Sequence, residues 1–289
     1  MQIVPFDNRE GYIWYNGEFV NWQEAKIHVL NHGLHYASCV FEGIRSYNGK
    51  IFKLQEHMER LHNSAQLIGF TLPYSVETLI DANNILLLKQ NLTDAYIRPF
   101  AWRGSERMTI SAPNNSVNVA IACWNWPKAY YENKNQGIKL AMAEWVRPPA
   151  NSFPCNSKAS GGYVIATLSK QKAEEQGCND ALMLDSKGYI AETTSSNIFF
   201  VKDNELHTPI ADSFLNGITR LTIIELAKAN GINVVERRIF ENELQDFTEV
   251  FVTGTSVEVT GVIQIAKHNY SLGPITQLLI QKYTELTTM

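Results

Sequence analysis

Lys158 stands among small residues, in the run Asn156-Ser157-Lys158-Ala159-Ser160-Gly161-Gly162-Tyr163, just before an amphipathic stretch. Pro148, Pro149 and Pro154 keep regular structure away from the segment ahead of it. Tyr163, Ile165, Ala166, Leu168 and Ala173 are spaced as one helix face that ends at Gly177. The lysine is therefore expected near a helix N-terminus, where the partial positive charge disfavours an ammonium. An amine held partly neutral can attack a carbonyl, and small neighbours leave room for a large ligand. Taken alone, these residues also fit a solvated loop lysine.

Gly217-Ile218-Thr219 opens a predicted helix, and Gly254-Thr255-Ser256 follows a predicted strand. Backbone N–H groups and hydroxyls at such places bind anions, though both runs also fit ordinary turn and cap chemistry. With Lys158 they suggest a phosphorylated carbonyl cofactor. Glu192 comes at a strand end, before the hydroxyl-rich Thr193-Thr194-Ser195-Ser196-Asn197. A buried carboxylate needs a cationic or hydrogen-bonding partner. A pyridinium nitrogen is such a partner, and the carboxylate keeps that ring protonated as an electron sink. A surface glutamate beside a turn is the alternative.

Tyr96 and Arg98 share one face of a strand. A phenol and a guanidinium there can grip a carboxylate, or the pair can simply face solvent. Arg60 falls between the apolar positions 58 and 61 of a predicted helix, which favours a solvated arginine over an arm to an anion. His28, His32 and His35 invite a metal reading, but Asn31 and Gly33 interrupt helical spacing and no neighbour completes a ligand set. Local hydrogen bonding or interface packing is expected instead, and no metal.

Elements of both periods must position these groups. Residues 12–15 and 18–20 flank Asn16-Gly17, and residues 40–47 and 51–54 flank Asn48-Gly49; both read as hairpins with type I′ turns. A helix over 55–69 carries Met58, Leu61, Ala65 and Ile68 on one face, and Ser75 caps another over 76–90. Strands follow at 95–102 and 117–124; Pro99 in the first argues for an edge position or a bulge. Residues 1–123 thus form a small α+β domain with largely antiparallel strands, 124–136 a linker, and 137–289 a larger domain. That domain holds strands at 138–146, 181–185, 189–191, 197–201, 234–239 and 250–253. Its helices are the one after Lys158, one over 218–230 stopped by Gly231, and one over 275–286.

The chain of 289 residues is long enough for two such domains. Its net charge of -4 offers no nucleic-acid surface. Cys39, Cys123, Cys155 and Cys178 form no C-x-x-C pair, so free thiols in a reducing cytoplasm are expected. The first residues lack a basic region and an apolar core, so no signal peptide is expected, and the apolar run 85–88 is too short to span a bilayer.

Eight motifs then fall in a familiar order. They are Gly33-Leu34-His35-Tyr36, Val40-Phe41-Glu42-Gly43-Ile44-Arg45, His57-Met58-Glu59-Arg60-Leu61, Tyr96-Ile97-Arg98-Pro99, Lys158-Ala159-x-Gly161-x-Tyr163, Glu192-x4-Asn197, Gly217-Ile218-Thr219-Arg220 and Gly254-Thr255. From about Tyr12 to the C-terminus the chain resembles the branched-chain amino-acid aminotransferases, class IV (fold-type-IV) enzymes that use pyridoxal 5′-phosphate. The resemblance implies a two-domain α/β (α+β) fold with the active site between the domains. It implies transamination of leucine, isoleucine and valine with 2-oxoglutarate.

It also implies roles. Lys158 would hold the cofactor covalently and shuttle the substrate's α-proton. Glu192 would pair with the ring nitrogen, Tyr163 with the phenolic oxygen, and Leu215 would pack on the ring. Arg60, Thr219, Thr255 and the backbone of Ile218 would hold the phosphate. Tyr96 and the N–H groups of Thr255 and Ser256 would bind the α-carboxylate, and Arg98 the side-chain carboxylate of glutamate. Phe41, Trp126, Tyr130 and the partner subunit's Tyr36 would line an apolar pocket. A homodimer or a larger assembly, a hexamer included, follows from that shared pocket. Partners are amino acids and 2-oxo acids, with no nucleic acid and no membrane.

Three stretches depart from the resemblance. The loop 104–112 looks shorter and more charged. The turn Thr193-Thr194-Ser195-Ser196 stands where glycines and a second acid are expected, and Asn216 replaces a proline. A D-amino-acid aminotransferase or aminodeoxychorismate lyase of the same fold is the alternative, which Tyr96-Ile97-Arg98 disfavours. A binding protein that keeps the fold without the activity is a further one, which the presence of Lys158, Tyr163 and Glu192 disfavours.

Overall fold

The computed structural model describes residues 4–126 and 136–288. The chain falls into two units: Met1–Pro127 with Ser157–Gly161, and Lys128–Asn156 with Gly162–Met289. The sequence reading assigned residues 157–161 to the larger domain; in the structure they cluster with the first unit. Most of the expected linker, 127–135, lies outside the described residues, and its first two residues end a strand.

The first unit opens with the strands β1 (Tyr12–Tyr15) and β2 (Glu18–Asn21). Their turn takes positive φ at Asn16 and Gly17, as a type I′ turn demands. A short helix α1 (His32–Tyr36) follows, with the Asn31 side chain accepting from the Leu34 N–H. Asn31 therefore starts the helix that the sequence reading thought it would interrupt. Then come β3 (Cys39–Phe41), β4 (Ile44–Tyr47), β5 (Lys50–Ile51), α2 (Leu54–Leu67), α3 (Val76–Lys89), β6 (Ala95–Arg103) and β7 (Val117–Asn125). Leu54 was expected in a strand. Instead Lys53 takes a left-handed φ and turns the chain so that Leu54 begins α2.

The sheet runs β2-β1-β7-β6-β4-β5, with β3 also on β6. Pro99 lies inside β6, paired on both flanks, rather than at an edge. Its carbonyl accepts from the Glu42 N–H at 2.7 Å, so its missing N–H faces that same side. There β3 and β4 are one strand interrupted at Glu42 and Gly43, in unchanged register on β6. The break removes the need for the donor that proline lacks. Met58, Leu61 and Ala65 of α2 and Leu79, Ala82 and Leu86 of α3 fill the space beneath, each buried leucine worth about 1.5–3 kcal/mol.

The second unit contains β8 (Ile138–Met142), α4 (Tyr163–Glu175), β9 (Asp180–Leu184), β10 (Ile190–Thr193), β11 (Asn197–Lys202), β12 (Glu205–Pro209) and α5 (Ile218–Ala229). It continues with β13 (Val234–Arg237), β14 (Glu249–Gly254), β15 (Glu258–Ile265), β16 (His268–Asn269) and α6 (Pro274–Thr288). The sheet order is β10-β9-β8-β15-β14-β11-β12-β13, with β16 on β15. It is mixed: β8 runs parallel to β9 and β15, and β12 to β13. Its core gathers Leu140, Leu182, Ile198, Phe200, Val250 and Val262. Helix α4 buries Ala166, Ser169 and Ala173, while Leu168, assigned to the packed face, is exposed.

Candidate active site

Within the first unit, Lys158 is fixed by its backbone. Its N–H donates to Ser64 Oγ of α2 at 3.0 Å, and its carbonyl accepts from the Phe41 N–H at 3.1 Å. Ala159 bridges Val40, and the Ser157 hydroxyl donates to the Ser64 carbonyl. The segment thus lies along β3. Helix α4 begins only at Tyr163, after a 3-10 turn over Ser160–Gly162, so the lysine is not at the helix start itself. Its side chain is half-buried, with Nζ 5.2 Å from the centre of the Phe41 ring.

The Arg98 guanidinium sits over the same ring, at 4.7 Å, and donates to Tyr96 Oη at 3.2 Å. Phe41 is therefore an apolar surface approached by the Lys158 amine and the Arg98 guanidinium. Arg98 Nε is buried without a hydrogen-bond partner among the described residues. The Tyr96 ring lies tilted against Trp124 and Trp126, the latter at 4.8 Å. At Gly43 a Cβ would fall 2.2 Å from Tyr96 Oη, so only glycine lets the phenol stand there.

Arg60 is not solvated, as its residue context suggested. It grips Glu42 with two hydrogen bonds, at 2.7 and 2.8 Å. Glu42 is fully buried and also accepts from His57 Nδ1 at 2.7 Å. Burial by itself pushes this carboxyl up; Arg60 first and His57 second outweigh it and hold it well below the usual carboxylate range. Burial lowers His57, against the pull of Glu42, with Arg60 and Lys158 adding to the lowering. His57 is thus a neutral donor with its proton on Nδ1, and the charge pair is Glu42 with Arg60.

In the second unit Glu192 is buried on β10, one residue past a register shift against β9. Arg147 Nη2 donates to Glu192 Oε1 at 2.9 Å, and Asn197 Nδ2 donates to Oε2 at 3.1 Å. Asn197 reaches further: Nδ2 donates to the Leu215 carbonyl, and Oδ1 accepts from the Gly217 N–H at 3.1 Å. A Cβ on Gly217 would fall 2.2 Å from that oxygen. One side chain therefore ties the carboxylate to the amino end of α5, whose first N–H groups have no acceptor within the helix. No side chain caps that end. Ile218 and Thr219 are the first residues of α5, and Thr219 is buried. Thr255 and Ser256 form the turn after β14. Beside that turn the hydroxyls of Ser196 and Thr253 are buried without a partner among the described residues.

Tyr163 begins α4 and is half-buried. Tyr36 is exposed, with its hydroxyl on the Met108 carbonyl, and Tyr130 lies outside the described residues. His32 bonds Ser38 Oγ and the Thr109 carbonyl, and His35 the Val29 carbonyl. Among the described residues no group of three or more His, Cys, Asp or Glu is placed to hold a metal ion.

The family described as Amino-transferase class IV matches residues 39–265. A protein of Rickettsia bellii, "Probable branched-chain-amino-acid aminotransferase", is 48% identical over 90% of this chain and 89% of its own length. The "Branched-chain-amino-acid aminotransferase" of Pseudomonas aeruginosa is 40% identical over 97% and 94%. This chain is a class IV aminotransferase of the branched-chain-amino-acid aminotransferase family. Its fold agrees with a solved bacterial family member complexed with N-(5′-phosphopyridoxyl)-L-glutamate, at a TM-score of 0.92 and 38% identity over 97% and 95% of the two chains. A member from Thermoproteus uzoniensis with norvaline gives 0.93 at 34% identity, over the same shares.

The three stretches expected to depart from the family pattern each have a local structural account. In the turn after Glu192, Thr193 bonds the Ser196 carbonyl through both N–H and hydroxyl, and Thr194 Oγ1 donates to Asp180 at 2.5 Å. Asn216 Oδ1 accepts from Arg220 at 2.8 Å, a fully buried arginine that also reaches Glu236 and the Pro209 carbonyl. In the 104–112 loop, buried Asn115 bonds Gly104 and Arg107, and Glu106 holds Ser116. Sequence reasoning gave no role to Glu42, His57, Asn197 or Arg147. A lone carboxylate within the apolar run around Val40 and Ile44 was the available signal for Glu42; nothing local marks Arg147.

Proposed function

We propose that this chain transfers the amino group of leucine, isoleucine or valine to 2-oxoglutarate, using pyridoxal 5′-phosphate. The observation that carries the reading is the Asn197 tie in the second unit, between a buried carboxylate and an uncapped helix N-terminus. That donor set suits a ligand with a cationic ring N–H at one end and a phosphate at the other. The partnerless hydroxyls of Ser196 and Thr253 fit the anionic end. When bound, the cofactor supplies an electron sink for the substrate's α-carbon.

The chain's own residues do the rest. Glu192 would pair with the ring nitrogen. Thr219, Thr255, Arg60 and the backbone of Ile218 would hold the phosphate, Tyr163 would hydrogen-bond the phenolic oxygen, and Leu215 would pack on the ring. Lys158 would hold the cofactor and move the α-proton. Family membership, not the relative placement of the two units, supports giving residues of both to one cofactor. Tyr96, with the N–H groups of Thr255 and Ser256, binds the α-carboxylate. Phe41 and Trp126 present apolar surface to an aliphatic side chain, while Arg98 takes the carboxylate of glutamate. With an apolar substrate, the Arg98 charge rests over the Phe41 face and on Tyr96. This lets one pocket accept both side chains.

Assembly as a homodimer or larger is part of the reading. Val29 and Ile110 are 72% and 84% exposed, and Leu30, Leu34 and Tyr36 are exposed beside them in sequence or through the Tyr36 bond to Met108. Four free cysteines suit a reducing cytoplasm.

The test is direct. Purified protein should show a visible band that L-leucine bleaches, and borohydride should fix the cofactor on Lys158. L-Leucine, L-isoleucine and L-valine should turn over with 2-oxoglutarate, and D-alanine should not. Lys158→Ala should lose about 10²–10⁴-fold or more in kcat. Full turnover by that variant, or a preference for D-alanine, would sink the reading.

A further inference from the structure

Arg147 precedes Pro148 and Pro149, and its backbone N–H donates to the Leu184 carbonyl at 2.8 Å, beside a bridge to Asp185. The residue is thereby anchored to β9 at its main chain. At the other end of the side chain, Nη2 meets Glu192 Oε1 at 2.9 Å, the Thr194 carbonyl at 3.0 Å and the Thr193 carbonyl at 3.2 Å. Both side chains of the ion pair are about nine-tenths buried, at 11% and 9% exposure. Removing one partner of such a pair leaves an uncompensated charge. Arg147 is therefore held to one place and holds both Glu192 and the turn that follows it.

Resting on the proposed pairing of Glu192 with the cofactor's ring nitrogen, we infer that Arg147 is a positioning residue for that carboxylate. It has two effects. It fixes the Glu192 rotamer from one side while Asn197 fixes it from the other, so an acceptor oxygen is aimed before the ring arrives. It also sets how strongly the carboxylate attracts a proton. A guanidinium at hydrogen-bond distance favours the ionised form of a carboxylate, which would suit Glu192 to accept a hydrogen bond from a ring N–H. The hydroxyl-rich turn fits this assignment. Its two carbonyl oxygens supply part of the negative environment that Arg147 requires, and the Thr194 bond to Asp180 keeps them in place.

The test titrates pyridoxal 5′-phosphate into apo-protein and follows the visible band of the complex against pH. Wild type, R147K and R147Q are compared, each with Glu192 intact and with E192Q; thermal melting of the apo-proteins checks folding. Groups that orient a ligand-binding side chain are worth about 10–100-fold in affinity at metal sites. R147Q should likewise bind the cofactor about tenfold or more weakly, with a displaced pH midpoint of the band. R147K, which keeps the charge but not the planar guanidinium, should recover part of the loss. In the E192Q background R147Q should add less than about twofold, because its effect runs through Glu192. Wild-type affinity and an unmoved midpoint in R147Q would overturn the inference while leaving the proposed function intact. An equal loss with and without Glu192 would also overturn it, as a role in the fold alone. If wild-type protein takes up no cofactor on Lys158, the proposed function and this inference fall together.

Discussion

A carboxylate without exposed surface must be kept ionised by its neighbours, and Glu42 is held this way by the Arg60 fork and the His57 N–H. Replacing it with glutamine keeps the shape and takes the carboxylate charge away from the Arg60 guanidinium, which makes Glu42→Gln costly. The expected loss is about 3 kcal/mol at pH 7, read by denaturant unfolding. The pH dependence has a definite sign. The folded carboxyl lies well below its unfolded value, so its stabilisation is complete above the unfolded pKa of about 4.3. It is lost progressively as pH falls further towards the folded pKa. The gap between wild type and Glu42→Gln should accordingly narrow below about pH 4.3; a gap that is constant from pH 7 to pH 3 contradicts the ion-pair account. This network was only half legible beforehand. Arg60 was marked by its motif, but its sequence context pointed to solvent, because the partner that removes it from solvent comes 18 positions earlier, in the break between β3 and β4.

Elements differed in how openly the sequence declared them. The first hairpin was readable because Asn16-Gly17 demands positive φ at adjacent positions. Helix α3 was readable because Ser75 caps it. Strand β15 was hidden by Gly261 in its middle, where a Cβ would fall 2.1 Å from Leu272, and by a left-handed Glu258 at its start. Strand β12 was hidden by His207 and Thr208, polar residues that its buried setting accepts because Thr208 bonds the Ile198 carbonyl. Pro99 misled for a similar reason: the feature that tolerates it is a gap in the neighbouring strand. The same gap supplies Gly43, and Gly43→Ala should drive the Tyr96 hydroxyl from its place. We expect KM for L-leucine to rise about tenfold, or about 1.4 kcal/mol, with kcat changed less, in steady-state assays. An unchanged KM would remove Tyr96 from carboxylate binding.

At the scale of the molecule, the exposed apolar residues Val29 and Leu30, Leu34 and Tyr36 on α1, and Ile110 in the 104–112 loop are expected to meet another copy of the chain. Wild-type protein should sediment as a dimer or larger. Val29→Asp with Ile110→Asp should shift it towards monomer while helix content by circular dichroism stays constant. Sedimentation unchanged by both substitutions would exclude this face as the contact. Family and fold class were legible from eight motifs, taken in combination and in order. The pairing of Ser157–Gly161 with the first unit was not, because it depends on Val40 and Ser64, which carry no mark of it in sequence.

That pairing also has a consequence for biosynthesis. A chain leaves the ribosome N-terminus first, and Ser64 precedes Lys158 by 94 positions. The contact between them closes only after the opening strand of the second unit has been made. The nascent first unit receives its last segment together with Lys158, so its completion and the placing of the proposed nucleophile are one event.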